Sequence, residues 1–193
     1  MSCLQESLSE LMLDVHGDPL FSGTRFLVEP GRFLAGEAGI YVSRVTDVKQ
    51  SRGKTFVIVD GGMHHHLAAS GNLGQTIKRN YPLAVLNKLR QPAEATVDVV
   101  GPLCTPLDVL ARGVDLPGID AGDLIGVFQS GAYARSASPL GFLSHQTPPE
   151  VWVNEGSHSI FRRRSAFSDA WSDQPSDSGQ DLGSIHTPID QER

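Results

Sequence analysis

Short apolar runs separated by turns rich in glycine and proline constrain the fold of this chain more than any other feature. Residues 40–49, 55–59 and 95–100 are rich in valine and other residues that favour strands, and 123–128 and 150–154 have the same character. Several short strands joined by such turns are typical of all-β folds. The sequence therefore predicts a mainly β protein, an antiparallel barrel or sandwich.

Helical patterns precede these strands. Apolar residues between Leu4 and Val15 recur at helical spacing, and a Gly-Asp-Pro sequence at 17–19 ends the pattern. A short buried strand is predicted at 25–28, and a second helical segment is predicted at 33–38. The expected order is helix, strand and helix, followed by the β region.

The composition excludes several classes of function. The 193 residues are 39% apolar, which is enough for a core, and their net charge of −6 argues against a nucleic-acid surface. Cys3 and Cys104 have no spacing that suggests a disulfide framework or a zinc site. No apolar run is long enough to cross a membrane. We therefore expect a protein of the reducing cytoplasm.

The sequence beyond Gly156 differs from the rest. Serine, aspartate, glutamine and arginine dominate it, and aromatic residues are scattered. Such a segment has too little apolar surface to build a core. Residues 156–193 are therefore predicted to be a disordered tail, or one that folds only on contact.

A cysteine lies in a stiff segment between two apolar runs. Residues 101–108 read Gly-Pro-Leu-Cys-Thr-Pro-Leu-Asp, so a proline lies on each side of Cys104 and the carboxylate of Asp108 follows it by four residues. Proline fixes φ and disfavours helical geometry in the preceding residue. Such a backbone can position a reactive thiol, but free cysteine is also a common small core residue. The residues alone allow both interpretations.

A glycine and an arginine after the predicted strand at 25–28 form a candidate anion site. Gly31 permits close approach to the backbone, and Arg32 provides a planar cation just before a helical segment. Unpaired N–H groups at a helix start favour phosphate. A plain turn with a surface arginine is the alternative interpretation.

Three consecutive histidines, His64, His65 and His66, follow an Asp-Gly-Gly turn at 60–62. Neighbouring side chains alternate between faces of a strand, and on a helix they fan out by about 100° each, so adjacent histidines seldom bind one ion. No metal site is predicted.

Three groups of residues stand in the order and approximate spacing of a known family. They are Glu-Pro-Gly-Arg at 29–32, Gly-Pro with Cys104 and Asp108, and Gly-Ala-Tyr at 131–133. With this set, the chain resembles the carboxy-terminal part of the fold-type III pyridoxal-phosphate-dependent decarboxylases, the family of ornithine, arginine and diaminopimelate decarboxylases. The resemblance is closest to the subgroup associated with exosortase gene clusters, through the stretches at 36–42, 51–56, 60–66 and 101–108.

The resemblance covers about residues 1–154 and implies a domain organisation. Residues 1–38 would be the last helix and strand of an otherwise missing (β/α)8 barrel, and residues 39–155 would form an alanine-racemase C-terminal-like β-domain. In this family the lysine that holds the cofactor lies on the first barrel strand. The resemblance therefore implies a fragment, a truncated reading frame, or one piece of a split enzyme whose barrel a separate chain supplies.

The resemblance also implies how the cofactor, pyridoxal 5′-phosphate, would be held. Glu29 would face the pyridine nitrogen. Gly31 and Arg32 would bind the phosphate, and the hydroxyl of Tyr133 would add a hydrogen bond to the same group.

The remaining implied roles concern the substrate. Cys104 would be presented from the opposite subunit of a homodimer and would return a proton to the decarboxylated carbon, with Asp108 near it at the subunit boundary. Relatives that act on basic amino acids carry an acidic residue directly after the cysteine, whereas this chain has Thr105. The resemblance thus implies shared active sites and a different amino acid, or a peptidyl or carrier-bound one, as the substrate.

Two other functions stay open. The β-domain could mediate association without catalysis, with the motifs left as relics. Alternatively, Cys104 could act as the nucleophile of a hydrolase, with one of His64 to His66 as its base.

Overall fold

The computed structural model describes residues 2–27 and 29–171, and it confirms a mainly β fold. Its strands are β1 (Tyr41–Ser51), β2 (Lys54–Val59), β3 (Leu83–Val85), β4 (Ala95–Val100), β5 (Val109–Leu116), β6 (Leu124–Val127), β7 (Glu150–Asn154) and β8 (Ser157–Arg162). Six of them form one sheet in the order β3-β6-β1-β2-β4-β5, and β7 pairs with β8 in a second sheet.

Two α-helices precede the strands, as the sequence predicts. They are α1 (Ser2–Gly17) and α2 (Arg32–Ala35), and short 3-10 turns lie at Pro19–Phe21, Gly36–Ala38, Leu86–Lys88, Arg135–Ala137, Phe142–Ser144 and Phe167–Trp171. The strand predicted at 25–28 is wrong for residues 25–27, because no described strand pairs with them and Leu27 is 75% exposed. Val28 lies outside the described residues.

No helix in the described part of the chain is both long enough and apolar enough to span a membrane.

Strand β1 bends and serves two neighbours. Its first four residues pair with β6, and the part from Val45 onward pairs with β2, with an irregularity between Val45 and Asp47. The β1–β2 turn has positive φ at Arg52 (52°) and Gly53 (75°), which suits a two-residue hairpin turn. The predicted hairpin is confirmed, and the bend curls the sheet.

The sheet closes into a barrel-like form through one asparagine. Asn80, just before the edge strand β3, donates from Nδ2 to the carbonyl of Arg112 in the other edge strand, β5, over 2.7 Å. The N–H of Arg112 donates in return to the Asn80 side-chain oxygen over 3.0 Å. The pairing is not antiparallel throughout, because β2 and β4 run parallel.

Valine and isoleucine side chains fill the interior. The side chains of Val57, Val59, Val99, Ile125 and Val127 are fully buried. Such β-branched residues pack well on curved strands. The core of the barrel-like sheet is therefore built from alternate residues of short strands.

Three strands lie where none was predicted: β3, β5 and β8. The strand β8 falls in the tail that was expected to be disordered, and it pairs with β7 from Asn154 and Ser157 to Glu150 and Arg162. All its residues are exposed, so its composition is polar and it forms through backbone hydrogen bonds. Residues 172–193 lie outside the described residues, and the domain boundaries at 38 and 155 stay predictions.

Candidate cofactor and cysteine sites

Gly31, Arg32 and Tyr133 lie together, although a hundred residues separate them in sequence. The guanidinium carbon of Arg32 lies 5.3 Å from the centroid of the Tyr133 ring and 5.2 Å from that of Tyr81. A Cβ atom added at Gly31, where φ is +45°, would lie 3.4 Å from the Tyr133 hydroxyl oxygen. A cation, a phenol and an open glycine backbone are therefore within reach of one ligand.

Backbone contacts between glycines hold this arrangement. The N–H of Gly131 donates to the carbonyl of Gly36 over 3.0 Å, and that of Ser130 donates to the carbonyl of Gly39 over 2.9 Å. A Cβ atom at Gly39 would lie 2.7 Å from the Cα of Gly131, closer than real side chains come. Any larger residue would therefore separate α2 and its Arg32 from the turn that carries Tyr133.

The backbone of that turn is unusual. Tyr133 has a φ of +57°, in the left-handed region that a bulky residue rarely adopts, and its side chain is 47% exposed. Such conformations persist where the surrounding structure fixes them, and they concentrate at functional sites. The turn thus holds the phenol in one direction at the surface.

This set fits a phosphate group. Within residues 29–169 no carboxylate forms an ion pair with Arg32. A guanidinium, a hydroxyl and a glycine N–H are the donors that phosphate oxygens accept best. Glu29 is exposed two residues before Gly31, and its contact with a pyridine nitrogen stays a prediction.

Cys104 is exposed, so the interpretation as a core residue is wrong. Its loop is closed by the N–H of Gly101, which donates to the carbonyl of Asp108 over 3.0 Å, and by the N–H of Asp108, which donates to the carbonyl of Thr105 over 3.2 Å. Leu103 is buried beside it. The thiol thus stands on an ordered loop whose neighbouring side chain points inward.

Asp108 fastens this loop to the turn that precedes the histidines. One carboxylate oxygen accepts from the N–H of Leu103 over 2.9 Å, and the other accepts from the N–H of Met63 over 2.6 Å. Burial raises the pKa of Asp108, and these two N–H groups and the nearby His145 offset part of that rise. Sequence reasoning missed this role, although a Cβ at either Gly62 or Gly101 would collide with the carboxylate. Its place at a subunit boundary stays a prediction.

Asp108→Asn is expected to lower the free energy of unfolding by roughly 2 kcal/mol. The amide keeps the shape but loses the charge and turns its NH2 group toward a buried backbone N–H, which then lacks an acceptor. Denaturant titration measures the change. The control is Asp47→Asn, because Asp47 is exposed and accepts only from the adjacent N–H of Val48. Equal effects of the two substitutions would contradict the role given to Asp108.

The three histidines tie the two regions together rather than binding a metal. His65 donates from Nε2 to the carbonyl of Gln146 over 2.9 Å, and its Nδ1 accepts from the Tyr41 hydroxyl over 3.2 Å. His66 accepts from the N–H of Ala69 and donates to the hydroxyl of Ser130, which lies in the turn before Tyr133. Among the residues that the structure describes, no three His, Cys, Asp or Glu side chains could hold a metal ion.

The hydrolase alternative loses support from the same contacts. Both ring nitrogens of His65 and of His66 are engaged in hydrogen bonds. His64 is fully buried, and burial lowers its pKa to about 3. A thiolate needs an accessible base to activate it. These histidines therefore act as structural groups.

Comparison with known proteins gives consistent matches. Residues 13–131 match the family model described as the pyridoxal-dependent decarboxylase C-terminal sheet domain. The L-glutamyl-[BtrI acyl-carrier protein] decarboxylase of Niallia circulans is 44% identical over 156 residues, which are 79% of this chain and 36% of that protein. The diaminopimelate decarboxylase of Methanothermobacter thermautotrophicus is 35% identical over 144 residues, covering 74% of this chain and 32% of that one.

A solved structure shares the fold. The crystal structure of diaminopimelate decarboxylase from Helicobacter pylori complexed with L-lysine matches with a TM-score of 0.64 and 28% identity, over 78% of this chain and 36% of that chain. The chain spans about a third of the length of the relatives it matches.

Proposed function

The chain belongs to the pyridoxal-dependent decarboxylases, whose C-terminal sheet domain it contains, and we propose that it supplies this domain's part of a decarboxylase active site. When bound, pyridoxal 5′-phosphate withdraws electrons from the bond that loses carbon dioxide. Gly31, Arg32 and Tyr133 bind its phosphate, and Glu29 faces its pyridine nitrogen. The convergence of Arg32 and Tyr133 beside Gly31 carries this proposal.

Cys104 acts on the substrate in the proposed enzyme. Its thiol is exposed on a loop that Asp108 fixes, so it can reach into the site of a second copy and return a proton to the carbon that has lost carbon dioxide. The functional unit is accordingly a homodimer with shared sites, in the cytoplasm. The barrel that holds the cofactor lysine lies outside these 193 residues, in the same or a separate chain.

The proposed substrate is an amino acid carried on a protein. The relative with 44% identity is named for a glutamyl group on an acyl-carrier protein. Thr105, next to the proposed acid, is a half-buried hydroxyl whose oxygen accepts from the N–H of Leu107. A hydroxyl cannot neutralise a distal ammonium group, which disfavours basic amino acids.

A fusion protein tests this function. The chain replaces the matching region of the Niallia circulans enzyme, and release of labelled carbon dioxide is measured from glutamyl-carrier protein and from diaminopimelate. We expect turnover of the carrier-bound substrate and at least about 100-fold less of diaminopimelate, since losing a charge pair costs several kcal/mol in a buried site. The 193-residue chain alone should release none.

A fusion that binds the cofactor but acts on neither substrate would favour the alternative, a β-domain that mediates association only. Preference for diaminopimelate would contradict the proposed substrate class while leaving the decarboxylase assignment intact.

A further inference from the structure

A second tyrosine lies against Arg32, on the ring face opposite to no assigned ligand. Tyr81 is 7% exposed, and the guanidinium carbon of Arg32 lies 5.2 Å from its ring centroid, as close as it lies to Tyr133. Both distances are within the range of cation–π attraction. The two phenol rings therefore restrict the position of one guanidinium.

The hydroxyl of Tyr81 is buried without a partner. No donor or acceptor among the described residues meets its oxygen with hydrogen-bond geometry. Buried tyrosine hydroxyls usually have a partner, and one that lacks it destabilises the fold. Tyr41 shows the ordinary case, since its hydroxyl donates to Nδ1 of His65.

The surroundings hold Tyr81 in place. The ring of His66 meets that of Tyr81 edge to face, with 5.4 Å between centroids and 83° between planes. The preceding residue, Asn80, is fixed to β5 by two hydrogen bonds. Burial raises the pKa of Tyr81, and the Arg32 guanidinium offsets part of that rise, so the hydroxyl keeps its proton and remains a donor.

We propose that Tyr81 is a further ligand of the anion site: its hydroxyl donates a hydrogen bond to the phosphate group, and its ring orients Arg32. The inference rests on the proposed cofactor site. An oxygen of the phosphate supplies the acceptor that the chain does not provide. Tyr81 thus extends the set of Gly31, Arg32 and Tyr133 from the surface into the core.

Tyr81→Phe separates this role from a structural one. The substitution removes the hydroxyl and keeps the ring, so the melting temperature of the ligand-free chain should stay the same or rise, because an unpaired buried group is lost. Affinity for pyridoxal 5′-phosphate, measured by equilibrium dialysis of the full 193-residue chain, should fall about fivefold to tenfold. Affinity for pyridoxal, which has no phosphate, should not change.

Two matched variants serve as controls. Tyr41→Phe should lower the melting temperature, because His65 loses its donor, and should leave the affinity for pyridoxal 5′-phosphate unchanged. Tyr133→Phe should weaken binding of pyridoxal 5′-phosphate with little effect on melting, because Tyr133 is half-exposed.

The outcomes distinguish the two proposals. Weaker binding in Tyr133→Phe but not in Tyr81→Phe would overturn the inference on Tyr81 alone. A lower melting temperature of Tyr81→Phe with unchanged affinity would assign the hydroxyl a structural role and would also overturn it. If the unmodified chain bound pyridoxal 5′-phosphate no better than pyridoxal, the proposed cofactor site would fail, and the inference with it.

Discussion

Lowering the pH from 7 to 5 is expected to reduce the free energy of unfolding by about 4 kcal/mol, because two buried histidines stay neutral in the folded chain. Burial lowers the pKa of His64 to about 3 and that of His66 to about 4, and the Arg32 guanidinium contributes to the second shift. Both values lie well below the ordinary value of 6.5. At pH 5 each histidine is therefore neutral when folded and protonated when unfolded.

The sign of the effect follows from proton uptake. Between the unfolded value near 6.5 and the folded values, the unfolded state binds more protons, so stability falls as the pH falls. Each such group contributes up to about 1.4 kcal/mol per pH unit, or nearly 2 kcal/mol over this range. The pKa of His65 is also lowered, which acts in the same direction. The total is a large part of the 5–15 kcal/mol that stabilises a typical domain.

Denaturant titrations at pH 7, 6 and 5 measure this dependence. His64→Leu should remove about half of the loss and should raise stability at pH 7, because neither ring nitrogen of His64 has a partner among the described residues. His158→Gln is the matched control, since His158 is exposed on β8. A pH dependence unaltered by His64→Leu would show that this histidine is not the buried neutral group described above.

The parts of the fold that depend on local sequence were predictable. The helix α1 has a clear apolar period, and the β1–β2 hairpin has two strand-forming runs around a glycine turn. The three-residue strand β3 has no period to detect, and it exists because Val85 and its neighbours pair with β6. Residues 25–27 have the composition of a strand, but pairing requires a neighbour that the described chain does not offer them.

The candidate site divides in the same way. Motif resemblance pointed to Gly31, Arg32 and Tyr133, and the structure places these three together, while their roles as cofactor ligands stay predictions. It could not indicate Tyr81, because the value of that residue lies in its burial against Arg32. The inward direction of Asp108 likewise depends on the turn at Met63, forty-five residues earlier.

Cys104→Ala is expected to reduce turnover of the fusion protein by at least about 100-fold while the cofactor stays bound. General acid catalysis by a positioned group contributes about 10²- to 10⁴-fold, and alanine has no proton to give. The loop that presents the thiol is held at both ends, through the N–H groups of Leu103 and Met63, so water cannot simply take its position without loss. The phosphate site of Arg32 and Tyr133 involves other residues and should be unaffected.

Cys3→Ala provides the matched control, since it removes the only other thiol of the chain. It should leave both turnover and cofactor absorbance unchanged. A comparable loss in both variants would point to general instability of the fusion rather than to proton transfer.

The most direct measurement compares carbon dioxide release by the Cys104→Ala fusion with its visible cofactor absorbance in the same sample. A retained absorbance with turnover lowered at least about 100-fold is the predicted result. Turnover equal to that of the unsubstituted fusion, at equal absorbance, would contradict the claim that this domain takes part in the chemistry.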